Sequence, residues 1–167
     1  MNTGDLHQAP WSWTLSIVTT LTVLFMLYLA VIGFVGLQDH GWAWFVAMCL
    51  LPVTIILAGA LFTVSGYRLV DGSLWVRRFG WYTKIALTDL ISARVDPDAM
   101  GRSWRVFGNG GLFSFSGWYS NAKLGRFRVF ATDPSLSVVL RYPDKVIVVT
   151  PRDPNRLVSE IMNTAKA

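Results

Sequence analysis

The first 67 residues of this 167-residue chain contain no lysine and no arginine. Their only formal charges are Asp5 and Asp39, and all fifteen basic residues lie between Arg68 and Lys166. Charge is absent altogether from 11–37 and again from 41–66. A core helix of a soluble protein is usually shorter and keeps a polar face, and neither run shows one. A helix that crosses a bilayer needs about 20 apolar residues, and both runs exceed that. A cleaved leader would open on a positive segment and carry an apolar core of about 7–15 residues. This N-terminus has no cation and its apolar run is far longer, so the sequence predicts two retained transmembrane helices.

Cysteine is nearly absent too. Cys49 is alone and lies inside the second apolar run. It cannot form an intrachain disulfide and has no second thiol for a metal, which leaves it as a small apolar filler. Histidine is equally sparse. His7 and His40 are both expected outside the C-terminal part, so no Ser-His or Cys-His pair is expected within it. Asp89, Asp96 and Asp98 stand near a turn without calcium-loop spacing. With no catalytic constellation the chain reads as a non-enzyme that needs no cofactor and no metal.

What is present divides the chain in three. Residues 1–10 form a short polar lead, residues 11–66 a helical hairpin with spans at about 11–37 and 41–64, and residues 67–167 a cytoplasmic unit. Trp11 and Trp13 stand at one membrane edge, and Trp42 and Trp44 at the other, where interfacial aromatics belong. Gln38, Asp39 and His40 form the tight turn between the spans, with a solvated role. Pro52 removes a backbone donor inside the second span and predicts a kink there. Lys and Arg near a span are retained in the cytoplasm. Arg68, Arg77, Arg78 and Lys84 follow the second span closely, so both termini are expected in the cytoplasm and 38–41 outside. The chain is thus expected to cross its membrane twice.

After Gly66 the pattern changes to short apolar runs with turn residues between them. Asp71-Gly72 between two alternating runs is a strong hairpin signal. Further strand-like runs cover 83–87, 91–95, 105–107, 126–131, 137–142 and 145–149. About eight short, closely spaced strands predict a small antiparallel sandwich or barrel. Asp153 then fits a helix N-cap and Pro154 the first helical position. Leu157, Val158, Ile161 and Met162 recur at helical spacing, so this last helix is expected to bury one face against the open end of the barrel.

That order of elements, with the segments 67–77, 85–93, 108–113, 117–119, 130–133 and 148–157, resembles the bacterial pleckstrin-homology (PH) domain membrane proteins. The resemblance covers about 67–165. It implies an α+β fold: a two-helix transmembrane hairpin followed by a PH-like antiparallel β-barrel or sandwich capped by a C-terminal helix. It gives the fold more firmly than the function.

Two groups of residues are candidates for contact with lipid or a partner. Arg77, Arg78 and Lys84 flank the turn 79–82, where the first hairpin of a PH domain resembles a headgroup clamp; a positive-inside signal with solvated side chains explains the same residues. The stretch 112–119 reads as a loop in which Phe113, Phe115, Trp118 and Tyr119 alternate with serine and glycine. Arg102 and Arg105 precede it, and Lys123, Arg126 and Arg128 follow it. One reading packs these rings under the barrel. The other dips them into the headgroup region, with the cations over anionic lipid. Gly108, Gly110 and Gly111 lack the third spaced glycine and the following helix of a phosphate loop, and read as a bend or bulge.

The unit 67–167 holds fifteen basic and eight acidic residues, a net charge of +7. An anionic membrane accounts for this charge, and nucleic acid is not expected as a ligand of a tethered unit. The function expected is a non-enzymatic membrane adaptor that binds a partner protein or an anionic headgroup. The alternative is an assembly subunit whose hairpin packs with itself or another membrane protein, using Gly33, Gly36, Gly59 and Ala60 for close helix approach.

Overall fold

In the computed structural model, which describes residues 6–164, Ser12 starts the first helix. Its Oγ accepts from the Leu15 amide at 3.1 Å, satisfying one of the donors that a helix start leaves unpaired. Helix α1 then runs Trp13–Val35, and Gly36 caps its end. The chain reverses through Leu37–Phe45 (α2), which is broken at Gly41 with φ 78°. A π-helical segment Val46–Leu50 leads into α3, Leu51–Leu61. Pro52 explains that segment. It lacks the amide that would continue the ladder, and its ring crowds the carbonyl four residues back. The Leu51 amide therefore reaches five residues back, to Val46 O. Taken as 13–35 and 37–61, the helical stretches are long and apolar enough to cross a membrane. Gly33 lets them touch: a Cβ there would lie 2.7 Å from the Cys49 amide.

The remaining strands form a sandwich of two sheets. The first has the order β1-β2-β3-β4, with β1 Leu6–Gln8, β2 Val64–Val70, β3 Ser73–Arg78 and β4 Tyr82–Ala86. The second runs β5-β9-β10-β8-β7-β6, with β5 Ser92–Val95, β6 Trp104–Leu112, β7 Ser114–Asn121, β8 Gly125–Ala131, β9 Val138–Arg141 and β10 Val146–Val149. Helix α4, Pro154–Thr164, closes the end. Asp153 Oδ1 accepts from the Arg156 amide at 3.1 Å, as its place before Pro154 predicts. Leu157 and Ile161 go fully into the main core, with Tyr67, Leu74, Val76, Phe130 and Leu140. Asp71 and Gly72 have φ of 45° and 65°, the pair of left-handed residues that a tight hairpin turn requires.

Four expectations change. The sandwich has ten strands rather than about eight among the described residues, and β8 and β10 pair in parallel. The segment 112–119 is not a loop. It is the tip of a hairpin and most of β7, paired with β6 and β8. The described part of the polar lead joins the fold: β1 adds to the edge of β2, with His7 opposite Tyr67. His7 therefore lies within the sandwich, buried, with Nε2 2.8 Å from Glu160 Oε2 on α4.

Candidate functional site

The β3–β4 turn sits on the end of α3. Helix ends leave carbonyls without partners, and two side chains of this hairpin reach these. Trp81 Nε1 donates to Leu61 O at 2.9 Å. Arg78 donates through Nη1 to Phe62 O and through Nε to Thr83 Oγ1 at 3.1 Å. A cation at a helix C-terminus also opposes the negative end of the dipole. Arg78 is buried, and its guanidinium lies 4.8 Å from the Trp81 ring centroid and 5.2 Å from that of Phe130. Burial, and then the nearby Arg128, lower its pKa from 12.5 to about 10, so it stays charged at neutral pH.

The tip of the β6–β7 hairpin packs against both membrane helices. Thr19 on α1 donates its hydroxyl to Gly111 O at 3.1 Å and accepts from the Phe113 amide at 3.0 Å. The same buried oxygen thus satisfies two backbone groups of the tip. Trp11 meets Phe113 edge-on at 6.2 Å. Gly59 leaves room for the tip from the other side, since a Cβ there would come within 2.8 Å of Leu112 Cδ2.

Between this hairpin and α3 lies a groove of about 620 Å³. Ile55, Ala58 and Gly59 of α3, with Phe62 just beyond it, form one wall. The strands supply Trp118, Phe130 and three arginines, Arg78, Arg105 and Arg128. The Arg128 guanidinium lies 4.9 Å from the Phe130 centroid, so two cations share one ring. Among the described residues, no aspartate or glutamate lines the groove. Neither Arg105 nor Arg128 has a carboxylate partner among the described residues.

The structure redistributes the residues singled out from the sequence. Arg77 and Arg78 are neighbours on β3, one exposed and one buried, so they occupy opposite faces. Lys84 lies 5.8 Å from the Trp75 ring, away from Arg78. The first-hairpin triplet therefore does not converge. Within 112–119, Tyr119 is buried and donates to Asn109 O at 2.7 Å, whereas half-buried Trp118 lines the groove. Arg126 stacks on Trp118 at 4.8 Å. Lys123 is engaged by Asp96 at 2.6 Å. The two readings of the aromatic stretch thus divide by residue: Tyr119 is core and Trp118 is groove. Arg105 is among the cations that flank the aromatic stretch in the sequence, but its meeting with the α3 wall is not readable there, because strand and span come together only through the topology. Gly33 and Gly59 serve contacts within the chain.

No curated protein and no solved structure matches this chain. The family model described as bacterial PH domain matches residues 65–165, which is more than half the chain and contains the sandwich strands from β3 onward, the three arginines and α4. Two apolar helices lead into a two-sheet sandwich closed by a C-terminal helix, and with that match the chain belongs to the bacterial PH-domain family.

Proposed function

We propose that this protein is a non-enzymatic adaptor, anchored by its two spans in the bacterial cytoplasmic membrane, whose groove binds anionic headgroups at the cytoplasmic face. One observation carries the reading: three arginines converge on a groove that no carboxylate of the described residues lines. Guanidinium groups gathered without a countercharge repel each other, and a phosphate relieves this through bidentate hydrogen bonds. The family match supports a binding role.

The orientation follows from the positions of the basic residues, which begin only at Arg68. Pairing of β1 with β2 keeps the N-terminal strand on the same side as the sandwich. A thiol placed at Gln38 should react with an impermeant reagent in intact cells, and one at the exposed turn residue Asp144 should not. The reverse labelling would refute this orientation.

Binding is tested on the full-length chain in nonionic detergent, with phosphatidylglycerol against phosphatidylcholine. The anionic lipid should be retained preferentially. The double substitution Arg105→Gln/Arg128→Gln should weaken its binding by at least about tenfold, because contacts to charged groups are worth about 1.5–3 kcal/mol each. Arg77→Gln, outside the groove, should leave binding unchanged. Equal retention of both lipids, or an inert double substitution, would overturn the proposal.

A further inference from the structure

The groove is more than an anion site. Its apolar wall continues along α3 to Ile55, six residues before the helix ends at Leu61, which is about 9 Å of helix. Arg78 marks the level of that end through its bond to Phe62 O. The cations therefore sit where headgroups lie, and the wall of Ile55 and Ala58 rises from them toward the hydrocarbon. Leu112 bounds the groove at the hairpin tip. A soluble phosphate would use the arginines and leave the wall bare. At about 620 Å³ the groove has the capacity of a pocket for a whole small molecule, typically about 300–1,000 Å³.

Resting on the headgroup reading, we infer that the groove takes the headgroup and one acyl chain of an anionic glycerophospholipid sideways from the adjoining leaflet, its phosphate among Arg78, Arg105 and Arg128 and that chain along Ile55, Ala58 and Leu112. An acyl chain has no polar group to satisfy, so it can occupy the upper wall at no hydrogen-bonding cost. An acidic protein segment would carry unpaired backbone amides and carbonyls to the same depth, where nothing replaces water. That difference selects lipid over peptide.

Competition on the full-length chain in nonionic detergent tests the inference. A fluorescent phosphatidylglycerol is displaced either by dioleoyl phosphatidylglycerol or by its soluble headgroup, glycerophosphoglycerol. The lipid should compete at least about tenfold more strongly, the step that 1.4 kcal/mol of chain burial produces. Ala58→Phe fills the wall and should weaken the lipid by about tenfold while leaving the headgroup unchanged. Arg105→Gln/Arg128→Gln should weaken both. If headgroup and lipid compete equally on the unaltered chain, the lateral site is wrong and the anion site stands. If neither competes and the arginine substitutions change nothing, the anion site falls with it. The comparison on the unaltered chain decides the question even if Ala58→Phe impairs folding.

Discussion

Gly117→Ala is expected to unfold the sandwich, or to leave it barely stable. Gly117 pairs directly with Gly108 across β6 and β7, with φ of 134° and 114° respectively. A Cβ at Gly117 would stand 2.2 Å from Phe107 O, and one at Gly108 would stand 2.3 Å from Ser116 O. Both obstacles are backbone, so neither can swing aside. Strained φ costs about 1–3 kcal/mol and overpacking typically about 1–3 kcal/mol more. The sum is a large part of the 5–15 kcal/mol or so that holds a typical domain together. Gly80→Ala provides the comparison, because Gly80 also has positive φ, at 82°, but nothing lies within 4 Å of its Cβ position. Thermal unfolding of the full-length variants in detergent, followed by tryptophan fluorescence, should show Gly117→Ala losing far more than Gly80→Ala. Equal losses would mean that the two strands can separate to make room.

The second large effect is a loss of stability in alkali that passes through Tyr67. Its side chain is wholly buried, donates to Phe130 O at 2.6 Å and accepts from the Thr150 amide at 3.0 Å. Burial raises its pKa from 10.0 to about 12, outweighing the hydrogen bonds from Thr150, which act the other way. Below pH 10 the phenol is neutral in folded and unfolded chains alike, and its contribution is complete. Between pH 10 and 12 the unfolded chain releases the proton while the folded one retains it, so stability falls, by about 2–3 kcal/mol at the upper end. Tyr67→Phe removes that titration. It also orphans the Thr150 amide, at a cost of about 1–3 kcal/mol at neutral pH. The gap in melting temperature between wild type and variant should therefore narrow as pH rises from 10 to 12. A constant gap would show that other groups govern the alkaline transition.

Much of this fold is legible where one residue dictates local geometry. Pro52 marks the π-helical segment, Asp71-Gly72 the first hairpin and Asp153-Pro154 the start of α4, because each demands a particular backbone wherever it stands. The strand β1 was not legible, since three residues are too few to show a period. The segment 112–119 reads as a loop because serine and glycine interrupt its rings; in the structure, Gly117 adopts positive φ inside a paired strand. The arginine groove was the least legible part. Arg78, Arg105 and Arg128 come from three strands, and the fourth contribution is a membrane span. Arg78 and Arg128 each appeared in a cluster of neighbouring cations in sequence, but nothing in the linear order says that these two clusters meet. Arg105 reads in the sequence only as one of two cations before the aromatic stretch, and the sheet is what brings it into the groove.

The strand β1 also has a meaning during synthesis. His7 leaves the ribosome sixty residues before Tyr67, the residue it will face. In between come both apolar helices. If only one of them entered the bilayer, β1 and β2 would be stranded on opposite sides and the four-stranded sheet would lack its edge. Completion of that sheet thus excludes a chain in which one span has inserted without the other. A nascent chain with one span misplaced would keep an open edge on β2, the kind of unpaired strand edge that templates aggregation.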